Sequence, residues 1–160
     1  MTHRIAITGA GMGGLAAAAL LARDGHNVTL FERFDTAKPL GSGLVVQPVG
    51  LAVLDAVGAG EAARSLGAPL TRMLGHSGRR IALDVAYRPH HPGLAMHRAA
   101  LFHCLWQAAQ AQGITATTGH TATATRQTAT GIHLTTDRGE YGPFDLIIDA
   151  SGAGSRLSPL

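Results

Sequence analysis

Gly9-x-Gly11-x-x-Gly14 is the feature that most constrains how this chain folds. Alone, three spaced glycines are a weak signal. Here they follow a β-branched run, Arg4 to Thr8 (R-I-A-I-T), which predicts a strand. They precede Leu15 to Arg23, a block of strong helix formers with Gly25 just beyond its end. Val28 to Phe31 (V-T-L-F) predicts the next strand, and Glu32 stands at its carboxyl end. Strand, glycine turn, helix and strand with a terminal acid form one βαβ unit of the dinucleotide-binding kind. Each residue has a task. Gly9 permits the tight turn, Gly11 leaves the backbone open to a pyrophosphate, and Gly14 lets the helix pack close to the strands. The helix N-terminus offers free amides and a partial positive charge to phosphate. Glu32 can accept hydrogen bonds from the ribose hydroxyls of an adenosine, and its charge argues against a 2′-phosphate there. The fingerprint by itself does not separate NAD from FAD.

Past the unit, Asp35 to Gly43 predicts a loop containing Pro39. Val49, Ala52, Val53, Ala56 and Val57 recur at helical spacing after Pro48, which suits a helix entry. Leu70 to Leu74 and Arg80 to Val85 predict two short strands around a turn at 75–78. His97 to Gln112 predicts a second long helix, stopped by Gly113. The Thr- and Ala-rich stretch from Ile114 to Tyr141 alternates polar and apolar residues between turn signals. That pattern predicts an antiparallel β-meander rather than a low-complexity linker. Phe144 to Ile148 (F-D-L-I-I) is nearly all apolar, as in a strand buried on both faces. Asp149 to Ser155 predicts another small-residue turn. The fold class expected is α/β: a mostly parallel Rossmann-like FAD/NAD(P)-binding sheet with an antiparallel meander as crossover.

Composition excludes several classes of function. The formal charge is +3 and aromatic residues are 4% of the chain, with no basic run beyond Arg79-Arg80, so no nucleic-acid partner is expected. The apolar stretch near the N-terminus is interrupted by glycines and closed by Arg23-Asp24, too short to cross a bilayer and without a good cleavage site. No membrane partner is expected, and the location predicted is cytoplasmic. The single cysteine, Cys104, falls in an apolar helical pattern and reads as a buried small hydrophobe, which suits a reducing compartment. The nine histidines lack metal-ligand spacing and read as solvated or hydrogen-bonded residues, so no metal is expected. His76, Tyr87 and His97 could line a pocket, but each reads more simply as an ordinary structural residue. No arrangement of Ser, His and Asp, or of paired carboxylates, defines a catalytic acid or base.

Three segments occur in a telling order. Glu32-Arg33 is followed by Gly41-Ser42-Gly43-Leu44-Val45-Val46-Gln47-Pro48; then come Met96-His97-Arg98-Ala99-Ala100-Leu101, and Asp145-Leu146-Ile147-Ile148-Asp149-Ala150-Ser151-Gly152-Ala153-Gly154-Ser155-Arg156. Over all 160 residues this order resembles the FAD-dependent monooxygenases of the para-hydroxybenzoate hydroxylase type. The resemblance implies FAD as cofactor, with NADPH or NADH as co-substrate, O₂ as oxidant and a small organic molecule as substrate. It implies that Gly11, Gly13 and Gly14 face the pyrophosphate, that Gly9 and Met12 belong to the same cofactor-binding turn, and that Glu32 meets the ribose. Arg33, Gly43 and Gly152 would lie beside the cofactor. Arg98 would reach its phosphate or ribityl chain, and the strand at Thr121-Ala122 would meet the adenine through its backbone. Ser151 departs from the family, which carries a carboxylate in its G-A-D-G motif. The D-A-S-G form also resembles reductases and halogenases of the wider flavoprotein group, and a non-enzymatic nucleotide-binding module is a third reading. The family continues into a G-D-A motif and the rest of its substrate-domain sheet. Residues 1–160 are therefore expected to be the N-terminal part of an FAD-binding domain, incomplete without a C-terminal half, with residues 68–90 contributing a substrate-side hairpin.

Overall fold

Strand β1 (Arg4–Thr8) is covered on both sides, and its side chains divide by the period of two that a strand imposes. Ile5 and Ile7 join one hydrophobic cluster and Ala6 joins another. Helix α1 (Met12–Arg23) supplies Leu15, Ala18 and Ala19 to the first cluster. Strand β2 (Asn27–Phe31) repeats the division, with Leu30 on the helix side and Phe31 on the other. This computed structural model describes residues 1–38 and 41–158. Pro39, expected in the loop after β2, lies outside the described residues.

The chain next forms β3 (Gly43–Val46), α2 (Pro48–Ala56), α3 (Gly60–Leu66) and β4 (Ala68–Leu70). The hairpin β5 (Arg72–Ser77) and β6 (Arg80–Ala86) follows, then β7 (Gly93–His97) and α4 (Arg98–Ala111). Strand β8 (Ala116–Thr117) leads into the meander β9 (Ala122–Thr128), β10 (Gly131–Thr136) and β11 (Gly139–Phe144), and β12 (Leu146–Asp149) completes the order. The main sheet is parallel, ordered β12-β1-β2-β8. Helices α1 and α4 cover one face: Leu101, Cys104, Leu105 and Ala108 of α4 pack into the cluster of Ile5 and Leu30. The meander covers the other face, bringing Leu134 and Phe144 against Ala6 and Phe31. Cys104 is buried as expected, and burial pushes its thiol up from the ordinary range.

Several expectations shift. Helix α1 begins three residues early, at Met12, because Gly11 acts as its N-cap in extended backbone. The first hairpin strand begins at Arg72, and the turn falls at Gly78, where φ is +60°. Gly75 stays within the strand opposite Leu83. Helix α4 starts at Arg98 because His97 ends a strand, β7, that pairs with β3 and β4 in a separate antiparallel sheet. The run Phe144 to Ile148 is divided. Phe144 ends β11, and Asp145 clamps the start of β1: its N–H donates to the Arg4 carbonyl at 2.8 Å, and its carboxylate accepts the Arg4 N–H at 2.7 Å. Strand β12 is then the sheet's edge, with Ile147 and Ile148 half-buried rather than enclosed.

Candidate functional site

The carboxyl ends of β1, β2 and β12 open into a cleft of about 490 Å³, the position where open α/β sheets receive ligands. Its floor is the glycine turn. Gly9 has φ +97° and donates its N–H to the Phe31 carbonyl at 2.7 Å. A Cβ at Gly9 would sit 2.5 Å from the Ala150 carbonyl oxygen, so the turn after β12 seats directly on the turn after β1. A Cβ at Gly14 would sit 1.9 Å from the Gly9 carbonyl oxygen, which makes it the glycine of close helix packing. Around Gly11 a Cβ would find no atom within 4 Å, and the residue lines the cleft. The first amides of α1 have no acceptor within the helix and Gly11 has no side chain to cap them, leaving donors for a phosphate.

Glu32 is buried, at 7% exposure, and its carboxylate is already engaged. Oε2 accepts the Ala10 N–H at 2.7 Å and Oε1 accepts the Phe34 N–H at 3.0 Å. Each carboxylate oxygen retains a second lone pair, so the group can bind the turn and still accept hydroxyl donors from the cleft. Arg33, Lys38, Arg98 and Arg156 line the cleft as well, against Glu32 as the acid in its lining. That balance suits a pyrophosphate.

Arg98 supplies the clearest sign of a missing partner. It opens α4, and its main-chain N–H donates to the Ser42 carbonyl at 2.9 Å. Its side chain passes so close to Gly41 that a Cβ there would lie 3.1 Å from Nε. Nε is itself buried and has no hydrogen-bond partner among the described residues. A guanidinium nitrogen placed at a cleft wall without an acceptor is costly unless a ligand provides one.

The turn after β12 is organised by Asp149. Its Oδ1 accepts the Thr8 hydroxyl at 3.1 Å, the Ser151 N–H at 3.1 Å and the Ser151 hydroxyl at 2.5 Å; Oδ2 accepts the Ser155 hydroxyl. Burial pushes this carboxyl up, but the hydrogen bonds from Ser151, Ser155 and Thr8 outweigh that and hold it below the usual carboxylate range. Ser151 lacks a charge of its own, and Asp149, two residues earlier, places one beside it.

Of the residues expected at the site, Gly9, Gly11, Met12, Glu32, Arg33, Arg98, Ala122 and Gly152 line this cleft together. Gly13, Gly14 and Gly43 do not: the first two lie in the opening turn of α1, and Gly43 begins β3 with Met96 as its neighbour. His76, Tyr87 and His97 stand apart from it, and the Tyr87 hydroxyl donates to Gln47 Oε1 at 3.0 Å. Ala10, Phe34, Lys38, Phe102 and His120 line the cleft as well, and no sequence motif points to them. Phe102 had a signal in its spacing, since it lies four residues after Arg98 and so on the same helix face. Among the described residues no cluster of His, Cys, Asp and Glu suits a metal ion, and no helix is long and apolar enough to cross a membrane.

Comparison with known proteins agrees with the geometry. The chain is 36% identical over 163 residues to a protein of Rhodococcus erythropolis named as a probable 2-heptyl-3-hydroxy-4(1H)-quinolone synthase, covering 98% of this chain and 41% of that one. It is 30% identical to the 3-hydroxybenzoate 6-hydroxylase of Klebsiella oxytoca, covering 95% of this chain and 41% of that protein. The tetrameric form of 2-methyl-3-hydroxypyridine-5-carboxylic acid oxygenase superposes with a TM-score of 0.85 at 27% identity, over 98% of this chain and 41% of the other. The chain therefore spans about two fifths of the length of the relatives it matches. The model of a family described as "FAD binding domain" matches residues 2–156, which takes in every wall of the cleft. The chain belongs to the FAD-binding domain family.

Proposed function

We propose that this chain is the N-terminal, FAD-holding part of a flavin-dependent monooxygenase that hydroxylates a small aromatic substrate, using O₂ and NADPH or NADH as co-substrates. The buried Nε of Arg98, unpartnered among the described residues at the wall of the glycine-floored cleft, carries the reading. Relatives that align along nearly the whole chain support it: one is named a 3-hydroxybenzoate 6-hydroxylase, and a structural neighbour a pyridine-carboxylic acid oxygenase.

In this reading Gly9, Gly11 and Met12 present backbone to the pyrophosphate, while Gly13 and Gly14 shape the helix turn that supplies further amides. Glu32 holds the ribose and Arg33 flanks the adenosine. The backbone at Ala122 meets the adenine, and Arg98 meets a phosphate or the ribityl chain. Gly152 borders the cofactor within the cleft, and Gly43, outside the cleft at the start of β3, lies near the end of the cofactor that extends beyond it. Bound FAD supplies the two-electron and oxygen chemistry. The residues of this chain bind, orient and shield it, and none is assigned as a catalytic acid or base.

The hairpin β5–β6 serves the substrate side of the parent enzyme. Its register places Met73 opposite Val85 and Gly75 opposite Leu83, giving one apolar face, and Leu83 is 45% exposed. Because it spans about two fifths of the length of the relatives it matches, the chain alone is not expected to turn over. The parent enzyme is expected to work in the cytoplasm.

The test has two parts. The purified chain, mixed with FAD and passed through gel filtration, is expected to carry flavin absorbance with it. A longer protein containing this chain is expected to consume NADPH or NADH and O₂ in response to an aromatic substrate. Colourless chain at saturating FAD overturns the cofactor assignment. Reductant use without any hydroxylated product overturns the monooxygenase assignment and favours a reductase.

A further inference from the structure

His120 lies in the wall of the cleft next to Thr121 and Ala122, and its main-chain N–H donates to the Glu32 carbonyl at 2.8 Å. Neither ring nitrogen is left for a ligand. Nδ1 lies 2.6 Å from the Thr118 carbonyl oxygen, which can only accept, so Nδ1 carries the proton. In the neutral ring Nε2 is then an acceptor, and the Tyr141 hydroxyl donates a hydrogen bond to it at 2.7 Å. Two hydrogen bonds on opposite edges fix the plane of the imidazole.

Aromatic contacts fix it from behind. The Phe31 ring lies 6.1 Å from the His120 ring and 5.0 Å from the Tyr141 ring, and Tyr141 meets His120 edge-on at 5.4 Å. Phe31 is 1% exposed and belongs to the core between sheet and meander. The imidazole is thus mounted on the core by a fully buried ring. With both nitrogens spent, what it can offer the cleft is its face and its carbon edge.

We propose that His120 is a specificity-determining residue for the adenine half of the cofactor, offering a flat ring against which the purine stacks, and that Tyr141 is the positioning residue that holds this ring in place. The proposal rests on the FAD reading above. A base stacks on an aromatic face without its edges being read, so the contact selects for a planar base at this end of the cleft while the backbone near Ala122 reads its edge. Tyr141 acts through His120: it lines a separate shallow recess on the meander side with Phe31 and Phe144, outside the cofactor cleft.

Calorimetric titration of the full chain with FAD and with ADP, which shares only the adenosine diphosphate half, tests this. His120→Gln is expected to weaken both ligands by the same factor, roughly fivefold to a hundredfold for one lost stacking contact. His120→Phe, which keeps a ring, is expected to stay within about threefold of the parent chain. Tyr141→Phe is expected to weaken both ligands by a smaller factor than His120→Gln, since the imidazole remains but is held by one hydrogen bond. Equal binding by His120→Gln and the parent chain overturns the proposal. So does a loss confined to FAD with ADP unaffected, or a His120→Phe variant as weak as His120→Gln. Failure of the unaltered chain to bind either ligand overturns the FAD reading itself, a distinct result.

Discussion

The carboxylate of Glu32 accepts the backbone N–H of Ala10 at 2.7 Å, joining the end of β2 to the glycine turn 22 residues earlier in the chain. The second oxygen accepts the Phe34 N–H, so this side chain organises the cleft before any ligand arrives. Glu32→Ala leaves two donors without acceptors. It is expected to lower the stability of the ligand-free chain by about 1–3 kcal/mol and to weaken FAD by a similar amount. Glu32→Gln keeps one acceptor oxygen and is expected to fall between the two. Urea denaturation without FAD, followed by FAD titration, separates these effects. Unchanged stability in Glu32→Ala would mean that the turn does not depend on the carboxylate.

The glycines of the turn divide into two kinds, and alanine substitution tells them apart. At Gly14 a methyl group would meet the Gly9 carbonyl oxygen at 1.9 Å, a clash of backbone against backbone. Gly14→Ala is expected to destabilise the chain by about 1–3 kcal/mol or more, seen as a lower melting temperature without ligand. At Gly11 the backbone has φ −78°, open to any L-residue, and nothing lies within 4 Å of a methyl group. Gly11→Ala is expected to change stability by less than about 0.5 kcal/mol. Its effect falls on FAD affinity, expected to drop at least about tenfold, or roughly 1.4 kcal/mol, as the methyl group occupies the pyrophosphate's approach. A Gly11→Ala chain that bound FAD normally would move the pyrophosphate elsewhere.

What the sequence disclosed was local. The β1-turn-α1-β2 unit spans fewer than 30 residues, its glycines and Glu32 each have a requirement that chemistry states in advance, and the cleft forms where those requirements meet. What it withheld was non-local. Strand β7 has no sequence signal of its own, because G-L-A-M-H becomes a strand only between β3 and β4. The division of Phe144 from Leu146 depends on Asp145 reaching Arg4, 141 residues away. His120 looked like one scattered histidine among nine, since its ring is fixed by Tyr141 from a different strand. The short helix α3 has no long apolar period and no capping side chain to announce it.

Arg98 offers a test of the cleft that does not disturb the fold. Its Nε has no partner among the described residues to lose, so Arg98→Met, which keeps the apolar stem, is expected to leave the melting temperature of the ligand-free chain unchanged or slightly raised. A charge-assisted bond to phosphate is worth about 1.5–3 kcal/mol, and FAD affinity is expected to fall by that amount. Arg98→Lys retains a charge without the planar fork and is expected to recover only part of the loss. Matched titrations of the three chains decide the point, and equal affinity across them would remove Arg98 from the cofactor's contacts.

Asp149 makes the turn after β12 sensitive to acid in a direction that its environment fixes. The carboxyl is held below its ordinary value in the folded chain, because donors from Ser151, Ser155 and Thr8 outweigh the opposing effect of burial. A depressed folded value means that the stabilisation is fully present above the unfolded value, about 3.9, and is lost as the pH falls through the folded value. The difference in stability between the parent chain and Asp149→Asn is therefore expected to be largest near neutral pH and to shrink below about pH 3.9. Other carboxyls held low, such as Asp145 beside Arg4, titrate in both proteins and cancel in the difference. Ser151→Ala removes one of the donors, so the acid loss in that variant is expected to begin at higher pH than in the parent chain. Denaturant unfolding from about pH 2 to about pH 7 gives both curves. A constant gap across that range would show that Asp149 holds the turn as well when protonated, and that its hydrogen bonds rather than its charge support the floor of the cleft.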